Sequence, residues 1–196
     1  MRQSTHLAKN SRRLQRIYRA TENIIFLVLL LVTIHFTLQN FHIMGQSMEP
    51  TLHDQEYILV YKSIYSYRPP ARGDIIVFQY PLNPRSDYIK RIIAVPGDVI
   101  SVLNQTVIVN GVTLSEPYVN KDDPYNPYPS FRKRIVGPDQ YFVMGDNRGD
   151  SSDSREWGFV PRHNIIGQAL IVYWPVNTDN FGLLPTASNV FSRVRQ

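Results

Sequence analysis

Apolar residues fill positions 24–38, with Thr33, His35 and Thr37 as the polar exceptions. As a helix at 1.5 Å per residue the run spans roughly 22 Å, short of a hydrocarbon layer ~30 Å thick. Arg16 and Arg19 upstream can snorkel, and Phe41 extends the other end. Beyond it, short apolar segments have the composition and alternation of strands: 57–61, 74–80, 87–95, 99–103, 106–109, 140–144 and 165–174. The breaks between them carry turn residues. Pro69, Pro70 and Gly73 punctuate 65–73, Pro81 and Pro84 end the strand at 80, and Pro96-Gly97-Asp98 ends the next. Asn110-Gly111 between apolar runs is a strong hairpin signal. Residues 115–138 break the pattern: Pro117, Pro124, Pro127, Pro129 and Pro138 interleave with Tyr118, Tyr125 and Tyr128, which reads as an ordered excursion. The tail 176–196 carries no clear period. The pattern predicts a mostly β fold: an antiparallel sheet or barrel-like domain over 42–175, after a basic segment (1–22) and a single transmembrane helix (23–41).

Composition sharpens this picture in two places. At 196 residues the chain suits one domain with a real core, and its 14 prolines, 10 glycines and 12% aromatics favour strands and turns. The absence of cysteine excludes disulfides, thiol catalysis and thiolate metal sites. The net charge of +5 resides in residues 1–22, where Arg2, Lys9, Arg12, Arg13, Arg16 and Arg19 face Glu22 alone. Fifteen basic and fifteen acidic residues remain, so the folded body lacks the excess of cations that nucleic-acid binding needs. The cations before the apolar run argue against a buried helix of a soluble domain. No small-x-small cleavage site follows Leu38, which argues against a cleaved signal peptide. The reading is an uncleaved single-pass anchor with its N-terminus cytoplasmic and the rest outside the cell or thylakoid membrane.

Candidate chemistry begins at Ser47, nine residues past Leu38 and so within about 30 Å of the bilayer. A serine hydroxyl needs a base to act as a nucleophile at neutral pH. Of the five histidines, His6, His35 and His42 lie before, within and beside the apolar run, and His53 and His163 lack a local signature of a triad with Asp146 or Asp153. A lysine serves only if burial lowers its pKa from ~10.4, and lowering it to about 8 costs roughly 3 kcal/mol. Lys62, Lys121 and Lys133 sit in turn-like or proline-rich surroundings. Lys90 sits inside a continuous apolar strand, where it shares a face with Tyr88 and Ile92. It is either an edge gatekeeper or a buried base. Residues 145–155, GDNRGDSSDSR, resemble an acidic calcium loop without its spacing, and read better as a network of hydroxyls and carboxylates.

Four motifs in order resemble type I signal peptidases: Ser47-Met48-Glu49-Pro50-Thr51-Leu52; Arg72-Gly73-Asp74-Ile75-Ile76-Val77-Phe78; Lys90-Arg91 with Pro96-Gly97-Asp98; and Gly145-Asp146-Asn147-Arg148 through Ser151, Asp153, Ser154 and Arg155 to Trp157-Gly158-Phe159-Val160-Pro161. The resemblance implies a serine–lysine endopeptidase on preproteins with small residues at the first and third positions before the cut. Ser47 would be the nucleophile, Lys90 the general base, and Ser151 would orient the amine. Asp153 with Arg155, and Asp146 with Arg91, would brace the loop. The Ser47 N–H would stabilise the oxyanion; Gly45 replaces the hydroxyl residue with which many relatives add a second donor. The peptide would lie extended beside Asp87, Tyr88 and Ile89 and the residues before Ser47, with Ile43, Met44, Gly45, Met48 and Leu52 as further walls. The resemblance implies no metal and no cofactor. Two other classes share features with the chain: self-cleaving repressor-type serine–lysine proteases, which are cytosolic and carry DNA-binding domains, and membrane-tethered β modules that bind peptides without cutting them.

Overall fold

The apolar run forms the later part of one continuous helix, α1 (Arg2–Thr37). The computed structural model describes residues 2–119 and 130–194, and only the backbone of 2–14, 16 and 17. Among the described residues α1 is the one helix long and apolar enough to cross a membrane; its stretch Tyr18–Thr37 has a mean hydropathy of 1.8 and contains no buried residue. Twenty residues rise ~30 Å, the length that 24–38 alone lacked. The hydroxyls of Thr33 and Thr37 donate to the carbonyls of Leu29 and Thr33, at 2.8 and 2.7 Å, so the helix satisfies them itself. The helix stops at Thr37. Residues 38–41, expected in the anchor, instead open strand β1 (Leu38–His42).

The chain divides into two units, 1–38 and 39–196. The second is built from β2 (Tyr57–Tyr61), β3 (Ile75–Tyr80), β4 (Asn83–Ala94), β5 (Val99–Leu103), β6 (Thr106–Val109), β7 (Val112–Thr113), β8 (Phe131–Ile135), β9 (Gln140–Met144), a one-turn helix α2 (Ser154–Trp157), β10 (Val160–Pro161), β11 (Ile165–Trp174) and β12 (Gly182–Leu183). Eight strands form one sheet in the order β1-β2-β11-β3-β4-β9-β10, with β12 also on β11; four form a second, β7-β6-β5-β8. The mostly β, antiparallel fold is the one the alternation predicts. The continuous apolar run of β3 has a direct cause. Ile75 and Val77 face a cluster with Met48, Leu52, Val60 and Val172, whereas Ile76 and Phe78 face another with Ile92, Val143 and Val160. A strand covered on both faces has no reason to alternate. The hairpin at Asn110-Gly111 joins β6 to β7 with φ of +51° and +81°, the sign that a tight two-residue turn requires.

Two expectations need correction, and the tail gains a role that the pattern leaves open. Strand β4 begins at Asn83, not 87, and carries Pro84 in its exposed first residues, where an unpaired edge tolerates a missing N–H. The excursion at 115–138 contains strand β8, which pairs with β5; Lys121, Pro124, Tyr125, Pro127, Tyr128 and Pro129 lie outside the described residues. The tail beyond 175, for which the pattern predicts no element, contributes Ala187, Phe191 and Val194 to the core beside Ile93, Ile100 and Phe142. Phe191 closes a single short turn (Ser188–Phe191) that Ala187 precedes and Val194 follows, too brief to show a period.

One feature of the topology creates a site. Strand β9 pairs with β4 from Arg91 onward, where Arg91 lies opposite Met144. On that side Asn83 to Lys90 therefore forms an open edge, and the loop after Met144 starts beside Lys90. The ladder of β1 with β2 continues to Ile43, whose N–H donates to Glu56 O at 2.7 Å and whose carbonyl accepts from Gln55 N at 3.0 Å.

Candidate active site

Ser47 sits in a turn held from both ends. Behind it, Met48 and Leu52 are 1% and 0% exposed in the core, and Leu52 N donates to Met48 O at 3.0 Å. Ahead of it, Gly45 has φ of +96°, a conformation glycine adopts at no steric cost, and its N–H donates to Asp54 Oδ1 at 2.7 Å. A side chain at Gly45 would be strained, so no hydroxyl is to be had there without moving the backbone. Across the turn, the Asn147 N–H donates to Ser47 O and the Asn147 side-chain amide to Gln46 O, both at 3.1 Å. Among the described residues the Ser47 N–H has no acceptor.

Lys90 leaves β4 at the last residue of the open edge. Its Nζ lies 2.7 Å from Ser47 Oγ and 2.9 Å from Ile89 O. The residue is 4% exposed. Burial pushes its pKa down to about 8; the carboxylates of Asp153 and Asp146 push back against that shift, and Arg155 adds to it. Lys90 is buried beside the serine and not splayed into solvent as an edge gatekeeper would be. His53 instead faces Asp179 at 3.5 Å and His163 is exposed; neither lines the space around Ser47.

The loop after β9 surrounds the amine with paired charges. Asp153 caps α2, accepts two guanidinium bonds from Arg155 at 2.8 Å each, and accepts the Gly145 N–H at 3.0 Å. Arg91 and Asp146, with side chains wholly buried, form a two-pronged pair at 2.8 and 2.6 Å, and Thr51 Oγ1 donates to Asp146 at 2.5 Å. Both pairs join residues that the sequence motifs couple. Ser151 departs from its expected partner: its hydroxyl donates to Asp153 Oδ2 at 2.8 Å, while Lys90 bonds Ser47 and Ile89. Two further members escaped the sequence reading. Glu116 meets Arg148 in a buried two-pronged pair at 2.7 and 2.6 Å, and the Tyr118 ring lies 4.1 Å from the Arg91 guanidinium. No spacing rule links residues 32 apart across a proline-rich stretch.

Removing one partner of a buried ion pair strands the other charge. Asp146→Ala is therefore expected to destabilise the domain by about 3–5 kcal/mol. A urea titration followed by the fluorescence of Trp157 and Trp174 measures it.

A groove of about 530 Å³ runs past Ser47 and Lys90. Ile43, Met44, Gly45, Asp87, Tyr88 and Ile89 line it, as do Phe41, His42, Val77, Asp150 and Ser152, which were not foreseen. Met48 and Leu52, expected as walls, do not: they anchor the Ser47 turn from below.

Fold, serine turn and relatives together define a serine endopeptidase, a hydrolase. A family model described as "Signal peptidase, peptidase S26" matches residues 17–174, and the chain belongs to that family. Signal peptidase I of Leptolyngbya laminosa is 42% identical over 69% of this chain and 68% of its own. Signal peptidase I of Aquifex aeolicus (strain VF5) is 35% identical over 88% of this chain and 90% of its own. A crystal structure of a signal peptidase I from Enterococcus faecalis V583 is 36% identical, covers 50% of this chain and 95% of that one, and has a TM-score of 0.44.

Proposed function

We propose that this protein removes signal peptides from exported preproteins at the outer face of a membrane, with α1 as its anchor and its N-terminus in the cytoplasm. Ser47 is the nucleophile and neutral Lys90 the general base. The observation that carries the reading is the 2.7 Å contact between a buried amine and the Ser47 hydroxyl.

With Nζ uncharged, its lone pair accepts the proton of Ser47 Oγ as Oγ attacks the scissile carbonyl. The Ser47 N–H is free to donate to the oxyanion, an interaction typically worth ~3–4 kcal/mol. When the tetrahedral adduct collapses, Nζ gives its proton to the departing amine of the mature chain and is neutral again. A water then attacks the acyl ester with Nζ as base, releasing the signal peptide and restoring the Ser47 hydroxyl. Asp153, Asp146 and their arginines hold the loop around this exchange. Burial outweighs the pull of the two carboxylates and so dominates the state of the amine.

The substrate binds as an added strand along the open edge at Asp87, Tyr88 and Ile89, opposite the Met44 backbone. The ladder to Glu56 and Gln55 uses the N–H and C=O of Ile43, so those of Met44 point the other way, into the groove. Alternate substrate side chains then face the protein, which accounts for selection at the first and third positions before the cut. The test is incubation of the full chain in nonionic detergent with an exported preprotein carrying a small-x-small sequence. The expected product has its new N-terminus directly after that sequence. A preprotein bound but left intact would instead identify a peptide-binding module.

A further inference from the structure

We infer that the groove favours basic and disfavours acidic side chains next to the scissile bond, through Asp87 and Asp150. This specificity rests on the peptidase reading above. The two carboxylates reach the groove from separate elements, β4 and the loop after β9, and both are exposed. Neither has an ion-pair or side-chain hydrogen-bond partner among the described residues, unlike the neighbouring carboxylates of Asp146, Asp153 and Glu116.

Every other charge facing the groove is accounted for. Lys90 is the one lysine or arginine in its lining, and it is uncharged when the enzyme acts. His42 also lines it, stacked on Tyr57 at 4.5 Å, and contributes charge only when protonated. Asp54, behind the wall formed by 42–46, holds the Gly45 N–H and adds a third acid on that side. Arg91, Arg148 and Arg155 are each neutralised by a buried carboxylate, and Arg85, two residues before Asp87, does not line the groove. The reactive groove thus carries two uncompensated negative charges. A cleft lined by one sign attracts the opposite charge and repels its own, most strongly at low ionic strength.

The test uses the full chain in nonionic detergent at pH about 9, where histidine imidazoles are ordinarily neutral. Three preproteins differ only at the second residue after the cut: Lys, Gln or Glu. A second set varies the second residue before it. In at least one set kcat/KM is expected to be about 10-fold higher for Lys than for Glu at low salt, shrinking to about 2-fold near 1 M salt. In Asp87→Asn/Asp150→Asn the Lys-to-Glu ratio should fall by at least about 3-fold. Equal rates for Lys and Glu in both sets, with the Gln form cleaved normally, would overturn the inference and leave the peptidase reading intact. So would a ratio that persists in the double variant. Failure to cleave the Gln form would overturn the peptidase reading and this inference together.

Discussion

Lys90→Met and Ser47→Ala are each expected to lower kcat by about 10⁴-fold, and the double variant should be scarcely worse than either. A positioned general base contributes roughly 10²–10⁴-fold, and groups that act as a unit lose their joint contribution when either is removed. The lysine variant also separates chemistry from folding. An amine whose pKa is 10.5 when exposed and about 8 when buried is held against burial, at a cost of roughly 3 kcal/mol in its charged form. Between those values the unfolded chain binds the proton and the folded chain does not, so wild-type stability rises as pH rises from 8 to 10.5. Below pH 8 Lys90→Met escapes that cost and should be more stable than wild type; as pH climbs to 10.5 the advantage should vanish. Activity has the same origin. About 10% of Lys90 is neutral at pH 7 and about 90% at pH 9, so kcat/KM should rise close to 10-fold across that interval. A rate flat from pH 6 to 9, or a Lys90→Met enzyme within 10-fold of wild type, would remove Lys90 from the reaction.

Much of this site is legible in the residues themselves, for reasons that differ by residue. Lys90 stands out because an ammonium inside an apolar strand contradicts its surroundings, and such conflicts concentrate at functional sites. The Asp153–Arg155 pair is local, two residues apart, and a one-turn helix with Asp153 as its cap is enough to form it. The wall at Asp87–Ile89 comes from the family resemblance and not from the pattern of the strand itself. What stays hidden depends on distant segments meeting. Met48 and Leu52 sit close to Ser47 in sequence, and only the packing decides whether they face a groove or a core. Glu116 meets Arg148 through a segment whose spacing carries no rule. The open edge along Asp87–Ile89 exists because β9 ends at Met144 opposite Arg91, a register that no single strand encodes. The core role of Phe191 and Val194 depends on the same long-range closure.

Gly145→Ala is expected to reduce kcat by about 100-fold, although Gly145 does not line the groove. The residue lies where the two halves of the site meet. Its N–H is bound to Asp153 and its carbonyl to Arg148, each at 3.0 Å. Its φ is not in the left-handed region, so the demand for glycine is purely spatial. A Cβ there would stand 2.3 Å from Ser47 O, 2.3 Å from Ser151 Oγ and 2.6 Å from Ser151 Cβ. Ser151 can rotate away; the Ser47 carbonyl is backbone and moves only with Ser47 itself. Ordinary contact needs about 1 Å more, and a misplacement of that size costs on the order of 100-fold in rate. Overpacking of this kind also destabilises by about 1–3 kcal/mol, readable as a lower urea midpoint. The acid limb of the pH profile should stay near 8, because the burial of Lys90 is not what changes. Adding Ser151→Gly removes two of the three close atoms and leaves the Ser47 carbonyl. If displacement of the nucleophile is the cause, the double variant stays slow; if it recovers wild-type kcat, the obstruction was Ser151 and the packing of Ser47 on Gly145 does not set the rate.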